Sequence, residues 1–161
     1  MHGGTIVCAV SSEPGSRGAA DLAHALGARL GLRLVLVSVV DGIAAGTGES
    51  LSARQQHAGA ERTVREIADE LGGAPETRVV SGPRADTLAQ VAADEGADLI
   101  VVGSRPAGLG GRKLRCSLAR ELEAATSVPV LVAPPATRRR DDHRLSRTAE
   151  PGRRSSEPVS R

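Results

Sequence analysis

A glycine-rich, basic loop follows an apolar run near residue 100, in the stretch VVGSRPAGLGGRKLRCSLAREL from 101 to 122. Four glycines between 103 and 111 would let backbone N–H groups approach an anion closely, and Ser117 opens a predicted helix whose dipole favours negative charge. The loop carries four basic residues that could neutralise a phosphate: Arg105, Arg112, Lys113 and Arg115. The same pattern is typical of an ordinary turn with solvated cations, so the residues alone leave a phosphate site and a plain turn both open.

The elements that must position this loop follow from hydrophobic patterning. Five short apolar runs rich in β-branched residues predict strands buried on both faces. These runs are 5–10, 33–40, 76–80, 98–102 and 128–133. Segments with apolar residues at helical spacing lie between them. Strict alternation of strand and helix predicts an α/β fold, with a doubly wound sheet of five parallel strands, right-handed crossovers and four helices.

Two of these elements carry more detailed predictions. In the first helix, leucines at 22, 26 and 30 fall at helical spacing, with Ser16 as the N-cap and Gly31 as the stop. In the fifth strand, Pro129 suits a strand start or a sheet edge better than a sheet centre. An edge strand this apolar needs a partner, which favours a dimer.

The topology predicts where a ligand would bind. In an open α/β sheet, ligands lie beyond the carboxyl ends of the strands, where the strand order reverses. For the order 3-2-1-4-5 that point lies between the first and fourth strands. The residues that follow these two strands are Ser11 to Glu13 and Gly103 onwards. Topology alone therefore brings the glycine-rich loop to the expected ligand site.

Composition limits the class of ligand. The 161 residues suit one domain, and the chain contains no Phe, Tyr or Trp, which removes the stacking that carries most single-stranded nucleic-acid recognition. Residues 1–135 carry 13 basic and 15 acidic side chains, whereas residues 136–161 carry 8 arginines and 4 acids. We therefore expect a domain at 1–135 and a disordered basic tail at 136–161, which makes at most weak contacts with nucleic acid.

Neither cysteine indicates a metal site or a disulfide. Cys8 lies in a strand-like run and Cys116 in the loop, without a C-x-x-C pair or a histidine at ligand spacing. We interpret both as small buried or half-buried residues, and the alternative is a reactive thiol at Cys116. The first ten residues lack a targeting pattern, and no apolar run approaches the roughly 20 residues that span a bilayer. A cytoplasmic protein without membrane contact is therefore expected.

Three segments together resemble the universal stress protein family: IVCAVSSEPGSRGAADLAHALGARL from residue 6, SGPRADTLAQVAADEGADLIVVGSR from 81, and SLARELEAATSVPVLVAPP from 117. The resemblance covers about residues 4–135. It implies a Rossmann-like fold of the adenine nucleotide α-hydrolase type, a cytoplasmic stress-response role and a homodimer joined through the fifth strands. It also implies binding of ATP, with Mg, in one subset of the family only.

That subset carries G-x2-G-x9-G-[ST] after the fourth strand. Here Gly103 and Ser117 keep the first and last positions, whereas Pro106 and Cys116 replace the other two glycines. Pro106 lacks an N–H group, and Cys116 adds a side chain where the backbone should approach a phosphate. The departures predict that ATP binding is weak or lost.

The resemblance also implies ligand contacts outside this motif. Ser11 stands where nucleotide-binding members tend to carry an acid, and Val39 matches an apolar position that packs on adenine, although core packing explains a valine there equally well. The full set of expected cofactor-binding residues is Ser11, Val39, Gly103, Ser104, Arg105, Arg115, Ser117 and Leu118.

We expect no enzymatic activity, because the four histidines lie outside the predicted site loops and leave no positioned base. The alternative is an ATP-using enzyme of the adenine nucleotide α-hydrolase fold group. Such enzymes need a His-x-x-His-like pair or a loop of the S-G-G-x-D-S type after the first strand, and SSEPGS at 11–16 has the serines but neither the glycine pair nor the aspartate. No catalytic residue and no metal site are therefore predicted.

Overall fold

The computed structural model describes residues 3–41, 51–104 and 117–134. The predictions for the loop at 105–116 and for the tail at 136–161 lie outside the described residues. The five strands are β1 (Thr5–Ala9), β2 (Arg33–Val40), β3 (Glu76–Ser81), β4 (Ala97–Gly103) and β5 (Val130–Ala133). The four helices are α1 (Gly15–Leu30), α2 (Leu51–Leu71), α3 (Arg84–Asp94) and α4 (Ser117–Ala125).

The strands form one parallel sheet in the order β3-β2-β1-β4-β5. At its centre, Val7 of β1 pairs with Val35 of β2 on one side and with Ile100 of β4 on the other. All three side chains are fully buried, as expected for strands covered on both faces. The predicted α/β class, strand order and number of helices are confirmed.

Helices cover the two faces of the sheet. α1 and α2 pack on one face, in the cluster that contains Leu36 and Ile67. α3 and α4 pack on the other, in the cluster that contains Leu88 and Leu122. None of the helices in the described ranges is long and apolar enough to cross a membrane.

The first helix packs on the sheet through small residues. Its buried positions are Gly15, Ser16, Ala19, Ala20, Ala23 and Gly27. The leucine spacing correctly predicts a helix, but the leucines are not its buried face: Leu22 and Leu26 are partly buried at its flanks, and Leu30 is 63% exposed. Small side chains let the helix backbone lie close to the strands, which leaves no room for leucine between them.

The start of α1 corrects one prediction. The helix begins at Gly15, with Pro14 in the N-cap position and no side-chain cap. Ser16, the predicted cap, lies inside the first turn, where its Oγ accepts the N–H of Ser11 at 2.9 Å. In the tight turn after β1, the Ser16 hydroxyl thus bonds to the preceding loop and does not cap the helix. Gly31 ends the helix as predicted, in a left-handed conformation with φ 68°.

Strand boundaries lie within two residues of the predicted ones. The first strand ends one residue early, at Ala9, and the fifth begins two residues late, at Val130. Pro129 stands just before β5, at the edge of the sheet, and its carbonyl accepts the N–H of Ile100 at 2.9 Å. The prediction that Pro129 suits a strand start is confirmed.

Charged groups at the amino end of the sheet pair with one another. Arg33, the first residue of β2, lies 2.7 Å from a carboxylate oxygen of Glu76 and 2.5 Å from one of Glu95. Arg78 also pairs with both carboxylates. The side chain of Glu95 is only 6% exposed, and its carboxylate has two cationic partners, Arg33 and Arg78. We call these four residues the amino-end ion cluster.

Candidate functional site

A cleft of about 290 Å³ opens at the carboxyl end of the sheet. The ends of β1, β2 and β4 form its floor, and the first turns of α3 and α4 form its walls. β1 and β4 are the neighbouring strands between which the strand order reverses. The cleft therefore lies where the topology predicts a ligand.

Two glycines bring the turn after β1 against the end of β4. A Cβ atom at Gly103 would lie 2.7 Å from the carbonyl oxygen of Gly15, closer than real Cβ atoms approach. A Cβ atom at Gly15 would overlap the carbonyl oxygen of Ser104. Only glycine fits at these two positions without a backbone shift. Gly103, predicted as a phosphate-approach glycine, thus also has a packing role within the fold.

Ser104 places a buried hydroxyl in the wall of the cleft. Its Oγ makes no hydrogen bond with any residue in the described part of the chain. A buried hydroxyl without a partner costs roughly 1–3 kcal/mol, so such groups need an explanation. Because Ser104 directly follows β4, the sheet fixes its position. The hydroxyl is therefore a candidate for a hydrogen bond with a ligand in the cleft.

A second pair of hydroxyls belongs to the turn after β1. The Oγ atoms of Ser11 and Ser16 lie 3.1 Å apart and share a hydrogen bond. Ser11 Oγ also accepts the N–H of Glu13 at 3.2 Å, and Ser16 Oγ accepts the N–H of Ser11. Two hydroxyls that share one bond leave one O–H hydrogen unused. Ser11 and Ser16, which both line the cleft, can therefore donate one hydrogen bond to a ligand.

Three helices begin at the cleft. Gly15 starts α1, Arg84 starts α3 and Leu118 lies in the first turn of α4, and all three residues line the cleft. The first turn of a helix has unbonded N–H groups and carries partial positive charge. The described lining also includes one acid, Glu13, and one base, Arg84. The arrangement suits a ligand with an anionic group.

The cleft has two chemically different halves. Towards β2 it is lined by Val37, Val39 and Leu88, which we call the apolar half. Towards β4 the side chains are also mostly apolar, but Ser104 and the N–H groups of the first turn of α4 lie there, so we call it the polar half. Because β1 separates β2 from β4 and strands lie about 4.8 Å apart, the two halves are roughly 10 Å apart. A flat apolar group joined to an anion fits this arrangement.

The structure brings together most of the predicted ligand-binding residues. Those that line the cleft are Ser11, Val39, Gly103, Ser104 and Leu118. Ser117 is the first residue of α4. Arg105 and Arg115 lie outside the described residues.

Sequence reasoning places Glu13 at the expected ligand site, but it does not single out Arg84 or Leu88 as ligand contacts, although both line the cleft. A signal for Arg84 exists, because Gly82 and Pro83 end β3 and start a helix at that point. In a parallel α/β sheet every helix starts near the carboxyl ends of the strands. The first-turn residues of each helix are therefore candidates, whatever their type.

Cys8, in contrast, has no access to this site. It is fully buried in β1, and desolvation raises the pKa of its thiol to about 12. The interpretation of Cys8 as a small buried residue is confirmed, and Cys116 lies outside the described residues. No group of three or more metal-ligating side chains occurs within 3–41, 51–104 and 117–134.

Together, the fold and the cleft define an α/β protein with a candidate ligand site at the reversal point of a five-stranded parallel sheet. The sequence profile of the universal stress protein family matches residues 4–134, most of the chain. The chain belongs to the universal stress protein family, as the resemblance of its motifs predicted. Comparison with curated protein sequences gave no significant match.

Solved structures of family members share the fold. The chain is similar to the universal stress protein UspA from Lactobacillus plantarum, with 22% identity and a TM-score of 0.70 over 83% of this chain and 99% of that one. It is also similar to a universal stress protein in complex with cAMP, with 17% identity and a TM-score of 0.64 over 84% and 100% of the two chains. A third similar structure is the universal stress protein from Archaeoglobus fulgidus in complex with dAMP, with 18% identity and a TM-score of 0.60 over 82% and 98%.

Proposed function

We propose that this chain is a nucleotide-binding module of the universal stress protein family, which holds an adenine nucleotide in the cleft without turning it over. The observation that carries the proposal is the Ser104 hydroxyl, which is buried in the polar half of the cleft without a protein partner among the described residues. The apolar half, with Val39 and Leu88, suits the base. The helix starts at the cleft suit the phosphate.

The relatives support a ligand with a short phosphate group. One is in complex with cAMP and another with dAMP, and each of these ligands joins adenine to a single phosphate. In this sequence, Pro106 and Cys116 stand where the ATP-binding pattern has glycines. Losing one phosphate-facing N–H and adding a Cβ is expected to weaken triphosphate binding by about 2–4 kcal/mol. A monophosphate is therefore proposed to bind at least as well as ATP.

Calorimetric titration of the full chain with AMP, cAMP and Mg-ATP tests this proposal. We expect saturable binding of AMP, with an affinity that Ser104→Ala lowers about 2- to 10-fold, because one hydrogen bond is lost. Ser127→Ala is the matched control, since Ser127 is exposed in the turn before β5, at the opposite end of the sheet. Absence of saturable binding of all three nucleotides at millimolar concentration would overturn the proposal.

The double change Pro106→Gly and Cys116→Gly tests the role of the loop. It restores the glycines of the ATP-binding pattern, so we expect Mg-ATP affinity to rise at least tenfold relative to the parent while AMP affinity changes little. Equal ATP affinity in parent and variant would show that these two positions do not set the preference for a short phosphate.

The module is proposed to act without catalysis. The described lining of the cleft has no histidine or lysine, and its one acid, Glu13, already has an interaction partner. The competing possibility is an ATP-using enzyme of the adenine nucleotide α-hydrolase fold group. Release of phosphate or pyrophosphate from ATP that scales with protein concentration and falls in Ser11→Ala would favour the enzyme.

We further propose that the module is a cytoplasmic stress-response homodimer joined through β5. β5 is an edge strand, and Val132 on it is 38% exposed. An exposed apolar edge offers unpaired backbone groups to a second strand. Sedimentation of Val132→Lys is expected to show monomers where the parent is dimeric, whereas Thr77→Lys on the opposite edge strand leaves the mass unchanged. A monomeric parent at tens of micromolar contradicts this part of the proposal.

A further inference from the structure

A bound base is commonly stacked on a planar side chain, and this chain offers no Phe, Tyr or Trp for that contact. Proteins commonly hold nucleobases by stacking them on aromatic side chains or on the guanidinium plane of arginine. Among the described residues that line the cleft there is also no histidine, and the planar cation there belongs to Arg84. Stacking in this cleft therefore depends on a guanidinium.

Arg84 lies beside the apolar half of the cleft, where the base is proposed to bind. It is the first residue of α3, and Leu88 lies one turn later on the same face of the helix. Both line the cleft together with Val39, which lies on the neighbouring β2. Arg84, Val39 and Ser11 also line a second, more open cleft of about 600 Å³ towards α2. Arg84 thus lies on the border between the two clefts, beside the apolar half.

The guanidinium of Arg84 makes no tight ion pair with the residues that the structure describes. Its Nη2 atom lies 4.0 Å from Oδ2 of Asp41, beyond hydrogen-bond distance, and the side chain of Asp41 is 79% exposed. Exposed pairs of this kind hold an arginine only weakly. The Arg84 side chain is itself 40% exposed, so it can turn over the apolar half when a ligand binds.

From these observations we infer that Arg84 is the stacking partner of the ligand's base, which lies between the Arg84 guanidinium and Val39. The inference rests on the proposed nucleotide-binding function and assigns its specificity. A planar cation attracts the π-face of any base, so the affinity depends more on the size of the ring than on its hydrogen-bonding pattern. The site is expected to prefer purines to pyrimidines and to bind a nucleoside without its phosphate.

The test compares adenosine with AMP for the parent and four variants. Arg84→Ala is expected to weaken both ligands by the same factor, about 3- to 30-fold, because the contact is with the base they share. Arg84→Lys keeps the charge but loses the plane, so we expect it to weaken both nearly as much. Arg62→Lys, an exposed arginine of α2 that lines neither cleft, is the matched control. Ser104→Ala is expected to weaken AMP and leave adenosine unchanged.

A spectroscopic measurement reports the stacking itself. The ring current of a stacked adenine shifts protons above its plane upfield, so the δ-methylene protons of Arg84 are expected to move upfield on addition of AMP to the full chain. No such shift at saturation would overturn the inference.

The binding data separate the possible failures. If Arg84→Lys binds like the parent, charge and not the plane matters, and the stacking assignment is wrong. If Arg84→Ala weakens AMP but not adenosine, the contact is with the phosphate, and the assignment is again wrong. If the parent binds AMP and all Arg84 variants bind equally, only the inference fails. If the parent binds neither ligand, the proposed function fails and the inference falls with it.

Discussion

The two ends of the parallel sheet differ in whether their buried polar groups have partners within the protein. At the amino end, the nearly buried carboxylate of Glu95 is paired with both Arg33 and Arg78. At the carboxyl end, the buried hydroxyl of Ser104 has no partner in the described part of the chain. The buried carboxylate at the amino end is thus paired within the protein, whereas the buried hydroxyl at the carboxyl end has a hydrogen bond left for a ligand.

The difference indicates which end serves stability and which end serves binding. A paired buried carboxylate stabilises the fold only while its partners remain, since an uncompensated charge is costly. An unpaired hydroxyl slightly lowers the stability of the ligand-free protein. A ligand that forms a hydrogen bond with it recovers this free energy. Substitutions at the two ends should therefore separate the free energy of unfolding from ligand affinity.

The largest effect is expected where the carboxyl end is packed through backbone contacts. Gly103→Val would force a side chain into the carbonyl of Gly15, so we expect the free energy of unfolding to fall by about 3 kcal/mol and AMP binding to be lost. Urea unfolding measures the first effect and calorimetry the second. The control is Gly59→Ala in α2, where a Cβ meets nothing within 4 Å and about 0.5–1 kcal/mol of stability should be gained. An unfolding midpoint in Gly103→Val equal to that of the parent would contradict the packing argument.

The second effect belongs to the amino end alone. Glu95→Ala leaves Arg33 and Arg78 without this partner, and because both arginines are partly exposed we expect a loss of about 1–3 kcal/mol. AMP affinity should stay within twofold of the parent, since the amino-end ion cluster lies at the opposite end of the sheet from the cleft. A fall in affinity as large as that of Ser104→Ala would break the separation between the two ends.

Cys8 shows the effect of burial alone, apart from ion pairing at one end of the sheet and ligand binding at the other. It is buried in β1, and burial is the cause of its raised pKa. Its thiol ionises near pH 9 in the unfolded chain and near pH 12 in the folded one, so the unfolded state releases its proton first and stability falls as pH rises through 9. Between pH 8 and pH 10 the parent should lose about 1.4 kcal/mol more stability than Cys8→Ala. Parallel urea titrations at the two pH values measure this, and equal losses would mean that the thiol is accessible to water.

The smallest change in stability is expected at Ser104, with the opposite sign to Glu95. Ser104→Ala removes a buried polar group that has no partner among the described residues, so the free energy of unfolding should stay constant or rise by up to about 1 kcal/mol. Its AMP affinity should fall, as proposed above. A clear loss of stability on this substitution would indicate that the hydroxyl already serves the fold.

Sequence patterns predicted the architecture well because they report burial. The apolar runs around Val7 and Ile100 are continuous, and only a strand covered on both faces needs that pattern. Patterns were less informative about α1, where alanines, and not the leucines, face the sheet. Helical spacing shows that one face is apolar, but how close a helix lies to the strands depends on the packing of both elements.

The candidate site was predicted in part for the same reason. Ser11, Val39 and Ser104 lie within two residues of the ends of predicted strands, so the topology places them at one edge. Arg84 comes from a helix start that no ligand motif marks. The hydrogen bond of Ser16 with the loop before it also depends on the tight turn, because an N-cap and a loop acceptor look the same in sequence.

The sequence by itself determined the class of fold and, for the strand order 3-2-1-4-5, the end of the sheet where a ligand is proposed to bind. The class follows from local periodicity and from the handedness of β-α-β connections, whereas right-handed connections allow more than one strand order. Only the tertiary structure decided that Gly15 and Gly103 contact each other, that the Ser104 hydroxyl is buried without a partner in the described ranges and that Arg84 borders the apolar half of the cleft. Each of these depends on distances between segments far apart in the chain, which no local pattern encodes.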